Sequence, residues 1–223
     1  MLALKLGLSL VSTPILGGWS PDDEASLVAW YQNAVGITLN GSDVSQWSDS
    51  SSNSYDMVQA TATEQPAYSA GVLTFVSADT NNLQTAGQIS LSGDFTIGIK
   101  CFPTAFNNVI IADNTTTNEF FKFTTTSQFR IKIDGTTQNI TLDSGTFGDD
   151  YLIITRASNV VTLHQNGTAQ SSTPTLAGTA DIDAIGVRTT DTNPYAGTIK
   201  EIQIYSSSSS DLTSNVNDRL ATL

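Results

Sequence analysis

The chain has 223 residues, 39% of them hydrophobic and only 13% charged, with a net charge of −12 and a pI near 4.1. That apolar content can build a core, which excludes general disorder, and nine Lys and Arg against 21 Asp and Glu leave too little positive charge for nucleic acid. The single cysteine, Cys101, excludes an internal disulfide framework and a thiolate metal cluster.

Leu2, Leu4, Leu6, Leu8 and Leu10 open the chain at alternate positions, separated by Ala3, Lys5, Gly7 and Ser9. A repeat of two is that of a β-strand, so the five leucines share one face, and such a face must be covered by its own domain or another chain. A secretory signal is the competing reading. Against it, Ser9, Ser12, Thr13 and Pro14 interrupt the apolar run, and no small-x-small cleavage pattern precedes Trp19. The run is also shorter than the roughly 20 apolar residues of a membrane span. The expectation is a retained arm with its hinge, residues 1–24, that docks or assembles through Leu2, Leu4, Leu6, Leu8, Leu10, Ile15 and Leu16.

Pro14, Gly17 and Gly18 form the hinge, and Ser20-Pro21-Asp22-Asp23-Glu24 carries the residues of a short helical turn. Strands are then expected at Leu27–Tyr31, Val44–Trp47, Met57–Ala60, Val72–Phe75, Phe95–Phe102, Asn108–Ala112, Glu119–Thr124 and Phe129–Ile133. Further strands are expected at Gln138–Leu142, Leu152–Arg156, Val160–Gln165, Asp183–Val187 and Thr198–Tyr205. Asp134-Gly135 and Asn166-Gly167 are the strongest hairpin signals. Cys101 lies in an apolar strand, where a free thiol is a small core hydrophobe. At the end, Leu212, Val216 and Leu220 have helical spacing behind serines and Asp211 that can cap.

Several segments in order resemble the laminin-G-like, concanavalin-like jelly-roll family. Leu27-Val28-Ala29-Trp30-Tyr31 matches the opening strand. Val44 to Gln59 is similar to the "W-x-D-x-S-G-N-x-x-D-x-x-Q" stretch, with Ser52 where a glycine is usual. Gln65-Pro66-Ala67-Tyr68, Val72 to Phe75 and Asn82-Leu83 follow, and Leu91 to Ile97 resembles the strand opening the second half. Val161 to Gly167 resembles the "V-x-L-Y-x-N-G" hairpin, with His164 in the aromatic's place, and Tyr195 to Tyr205 the "Y-x-G-x-I-x-E-I-x-I-Y" closing strand. The resemblance implies an all-β, two-sheet antiparallel jelly-roll sandwich over residues 25–223, with an N-terminal extended arm and a short C-terminal helix. Trp30, Trp47, Phe75, Phe95, Ile153 and Ile202 are then expected between the sheets.

Fold does not give function. The family includes lectins, glycosidases, adhesion modules and virion proteins, and the organisation of a short arm before one jelly roll resembles tailed-phage structural proteins. Glycosidases need two carboxylates across a cleft. The nearest pairs, Asp181/Asp183 and Asp149-Asp150, are read as solvated turn charges. His164 is the only histidine, so a multi-imidazole metal site cannot form. Asp49, Asp56, Asp79 and Asp94 are the oxygen donors a calcium ion would need, although ordinary Asx turns account for them. Tyr55 and Tyr195 are the loop-borne candidates for glycan contact. The expectation is a non-enzymatic virion protein on a phage capsid or tail, homo-oligomeric, without cofactor or membrane partner, in contact with other virion proteins and a surface glycan. The alternative is a secreted carbohydrate-binding module or lectin.

Overall fold

The computed structural model describes residues 18–223, so the leucine arm and Ile15 and Leu16 lie outside the described residues. After a 3-10 turn over Pro21–Asp23, the first strands are β1 (Leu27–Tyr31), β2 (Ile37–Asn40), β3 (Asp43–Trp47), β4 (Met57–Val58), β5 (Ala67–Ser69) and β6 (Val72–Phe75). The middle of the chain forms β7 (Leu83–Leu91), β8 (Phe95–Pro103), β9 (Asn108–Ala112), β10 (Phe120–Thr125), β11 (Gln128–Ile133) and β12 (Thr136–Thr141). The last are β13 (Asp150–Ala157), β14 (Val160–Gln165), β15 (Thr168–Ala169), β16 (Ala180–Ile185) and β17 (Gly197–Tyr205), followed by helix α1 (Ser210–Leu220). All pairings are antiparallel. One sheet runs β17-β8-β13-β14-β15, with β1 and β6 sharing the free edge of β17. The other runs β12-β11-β10-β9-β16-β7-β4-β3-β2, and β5 bridges the two at a corner.

The inward faces follow the alternation of the sequence. Phe121, Phe123, Phe129, Ile131 and Ile133 pack with Ile97, Ile99, Ile154 and Ile202 in one core. Asp134-Gly135 and Asn166-Gly167 close hairpins with φ positive at both residues, the twist-compatible turn that those residues favour. Cys101 is buried in the core, where burial pushes its thiol up to about 12. Strands β2, β5, β7 and β15 are additional to the sequence reading. In β7 the buried residues sit at the ends, and its pairing with β16 shifts register between them, so no continuous alternation marks it. At the Ser52 turn the positive φ falls on Ser54.

Trp47, Phe75, Phe95 and Ile202 lie between the sheets. Trp30 and Ile153 are buried elsewhere, which corrects their expected place. Ile153 faces outward with Tyr151 and Tyr205, under Leu212, Val216 and Leu220 of α1. Each of those helix residues contributes roughly 1.5–3 kcal/mol of transfer free energy. The helix starts at Ser209, whose Oγ accepts from Leu212 N at 3.1 Å, and it sits against Gly98, where a Cβ would lie 2.6 Å from Val216 Cγ1. The Trp30 ring stacks against the Arg219 guanidinium, 5.1 Å from its centroid.

Fully buried Glu201 fastens these pieces together. Arg219 donates to both its oxygens at 2.8 Å, and Trp30 Nε1, Asn33 N and Gln203 Nε2 donate at 3.1, 3.0 and 2.7 Å. Opening strand, closing strand and helix therefore meet at one satisfied carboxylate. Trp19, in the expected hinge, packs on Tyr205 and donates to Glu24.

Candidate functional site

The outward face of β9 to β12 gathers most of the free positive charge. Phe121 and Phe123 point into the core, so Phe120 and Lys122 point out, and on β11 the same alternation turns Arg130 and Lys132 out. Register then sets their neighbours. Phe120 opposes Lys132, and Lys122 opposes Arg130. On the other flank Phe120 opposes Ala112 and Lys122 opposes Val109, which pack with Phe120 in a small outer cluster. Arg188 reaches in from the loop after β16. Lys122 Nζ, Arg188 Cζ and Lys132 Nζ stand 5.2, 5.3 and 5.9 Å from the Phe120 ring centroid. The ring is only 5% exposed, so it serves as a seat for the cations rather than a stacking platform.

Each cation is held by a neutral oxygen. Lys122 Nζ donates to Asn107 Oδ1 at 2.8 Å, Lys132 Nζ to the Thr117 carbonyl at 2.6 Å, and Arg130 Nε to Asn139 Oδ1 at 2.8 Å. The Asn193 amide oxygen, oriented toward Arg188, accepts from Nε and Nη2 at 2.9 and 3.1 Å. Among the described residues, the ion pairs within 4.0 Å are Lys100 with Asp149 and Arg219 with Glu201; these four cations have none. Burial first, then the charges of Arg130 and Arg188, push Lys122 down to about 8. The face offers charged donors in fixed positions and no counter-ion.

Carboxylates on the flank of this face are already occupied. Buried Asp113 accepts from Thr115 and Thr116, and Glu119 from Thr116 Oγ1 and Asp134 N. Asp183 accepts from Asn114 N at 2.6 Å, and Asp181 from Ser90 Oγ at 2.5 Å. Burial raises the pKa of Glu119 and of Asp183. Asp183 is 8% exposed on β16, which corrects its reading as a solvated turn charge. Asp150 is corrected likewise. Burial works to raise its pKa, but donors from Asn166, Gly148 and Gln165 hold it below the usual carboxylate range.

Other sequence candidates disperse. Tyr195 is 1% exposed, edge-on to Phe75 inside the sandwich, because the residues before β17 fold back into the core; it offers no stacking face. Tyr55 is half-buried, its ring against Gly87 and its carbonyl accepting from Tyr31. Asp49 accepts from Trp30 N, Ser51 and Tyr55 N, and Asp56 from Asp49 N and Gln46. Asp94 accepts from Ser158 N, and Asp79 ends a separate 3-10 turn. Among the described residues, no three His, Cys, Asp or Glu gather as a metal would need. His164 lines a shallow depression with Gly167, Ser210, Thr213, Ser214 and Asn217; burial lowers its pKa, and its ring makes no hydrogen bond among the described residues. A nucleophile and base in contact are therefore not present there.

Net charge summed over the whole chain hides the cationic face. The signal was present in Phe120-Phe121-Lys122-Phe123 and Phe129-Arg130-Ile131-Lys132-Ile133, where every cation alternates with a core residue.

No protein-family model matches the chain, and no curated protein matches it. Solved structures do. Domain 4 of AbnA, a GH43 extracellular arabinanase from Geobacillus stearothermophilus, in complex with arabinotriose, is 15% identical with a TM-score of 0.53, covering 88% of this chain and 98% of that one. Trypanosoma rangeli sialidase in complex with 2,3-difluorosialic acid is 12% identical with a TM-score of 0.54; the match covers 95% of this chain and 35% of the sialidase, so the chain spans about a third of that enzyme's length. The CBM40 of the Ruminococcus gnavus IT-sialidase, bound to α2,6-sialyllactose, is 16% identical with a TM-score of 0.43, covering 56% and 83%. At these identities the likeness is one of fold, and the fold is an antiparallel jelly-roll sandwich closed by a short C-terminal helix.

Proposed function

We propose that this protein is a carbohydrate-binding module without catalytic activity, and that it engages glycan on the outward face of β9 to β12. The observation that carries the reading is the set of pre-positioned donors without ion-pair partners, Arg130, Lys132 and Arg188, set over the buried charge of Lys122 and bordered by the amides of Asn139 and Asn193. Donors held in place lose little freedom when they bond to hydroxyl or carboxylate oxygens of a sugar. The likeness to the arabinanase domain holding arabinotriose, which this chain matches over nearly all of that domain, supports the choice of ligand. The test is a glycan microarray with the wild-type chain and an Arg130→Ala/Lys132→Ala variant, with release of reducing sugar measured in parallel. Binding that the variant loses, with no sugar released, is expected. A chain that binds no glycan, or cleaves one, refutes the proposal.

Attachment to a virion is a second proposal, and it rests on the alternating leucines of residues 2–10. The structural likenesses lend it no support. If the arm assembles the protein, the full chain is a homo-oligomer by light scattering and a chain lacking residues 1–17 is a monomer; equal masses refute it.

A further inference from the structure

We infer that the ligand of the β9 to β12 face is an anionic saccharide, whose carboxylate or sulfate groups supply the counter-charge that Lys122, Arg130, Lys132 and Arg188 lack. This rests on the proposed carbohydrate-binding function and names the substrate class of that site. In a chain of net charge −12, four of the nine Lys and Arg converge on one patch. Among the other described cations, Lys100 pairs with Asp149 and Arg219 with Glu201, while Arg156 donates to the carbonyls of Leu91, Gly93 and Gly178 and Lys200 to the Leu223 carbonyl, each outside the patch. Within the patch, asparagines and a backbone carbonyl hold the cations, and among the described residues no carboxylate stands within ion-pair distance of them. An amide orients a cation and leaves its charge intact, whereas a carboxylate would cancel it.

The arrangement also selects against other anions. Two guanidiniums present planar paired donors that match a carboxylate or sulfate, with the half-buried Lys132 ammonium beside them and the buried charge of Lys122 beneath. Negative charge over the rest of the molecule repels a long, densely charged phosphate backbone. A saccharide with spaced charges and intervening hydroxyls fits a patch this small.

The deciding experiment uses isosteric neutralisation. Asn139→Asp and Asn193→Asp each place a carboxylate against a cation already in contact with that side chain, without removing a cation or opening a cavity. Calorimetry on the full chain would compare polygalacturonate (carboxylate), dextran sulfate (sulfate), unmodified dextran, arabinan and duplex DNA. The wild type is expected to bind at least one of the two acidic polysaccharides tenfold or more tightly than either neutral one, and which of them it prefers identifies the acid group. Each Asn→Asp variant should weaken that binding about tenfold at unchanged melting temperature, as should Arg188→Gln. Raising the salt from 50 to 500 mM should weaken it further. Equal or tighter binding to dextran or arabinan overturns the anionic assignment and leaves the carbohydrate-binding reading standing. Binding to no polysaccharide overturns both. DNA bound as tightly as the acidic polysaccharides overturns the saccharide class, and Asn→Asp variants that bind like wild type remove this face from recognition.

Discussion

Replacing Lys122 by Met isolates the cost and use of a charge held without a counter-ion. Lys122 is 6% exposed and faces Phe120 and Val109, the guanidiniums of Arg130 and Arg188, and the Asn107 amide. A fall from 10.5 to about 8 corresponds to at most about 3 kcal/mol against the charged form in the folded chain. Below pH 8 both folded and unfolded chains hold the proton, and the cost is present in full. Between pH 8 and 10.5 only the unfolded chain holds it, so stability rises with pH across that window. Lys122→Met keeps the length of the stem and removes the charge. At pH 7 it should stabilise the fold by about 1–3 kcal/mol in denaturant titrations, and the wild type's rise in stability above pH 8 should be absent from the variant, so that the gap between the two closes as pH rises. Binding of an acidic saccharide should move the opposite way, weakening in the wild type as pH rises through 8 and staying low and flat in the variant. Parallel stability curves for the two proteins from pH 7 to 10 would refute the reasoning, because they would show that Lys122 carries no buried, uncompensated charge.

The remaining predictions concern the scaffold. Glu201→Gln leaves the Arg219 guanidinium half-buried beside a neutral group, and should cost about 3 kcal/mol in urea unfolding; a loss under 1 kcal/mol would show that the buried network is not what fastens α1. Gly98→Ala puts a methyl 2.6 Å from Val216 Cγ1 and should cost about 1–3 kcal/mol, largely recovered in the double variant with Val216→Ala; equal losses in single and double variants would contradict the close approach of helix and strand. Trp47→Ala empties a fully buried site in which the indole donates to the Gln32 carbonyl, and should cost about 3–5 kcal/mol by thermal melting. Normal stability would place that ring outside the core.

Local alternation carried much of this protein in its sequence. Phe129-Arg130-Ile131-Lys132-Ile133 assigns its own inward and outward faces, Asn166-Gly167 names its own turn, and Leu212, Val216 and Leu220 mark one side of a helix, because each pattern needs only the backbone period to be read. A register shift breaks the period of strand β7, and nothing in a run of loop residues shows that the segment carrying Tyr195 folds inward. The site belongs to the same divide. Alternation places Lys122, Arg130 and Lys132 on outward faces. Only strand register sets Lys122 beside Arg130 and Phe120 beside Lys132, and only the packing of a loop more than 50 residues later brings Arg188 over the same ring. Charge in a sequence is a sum, but recognition depends on distance, since the interaction of two charges falls with their separation and with the solvent between them. Net charge was therefore legible from composition, whereas the patch of opposite sign existed only once the sheet had formed.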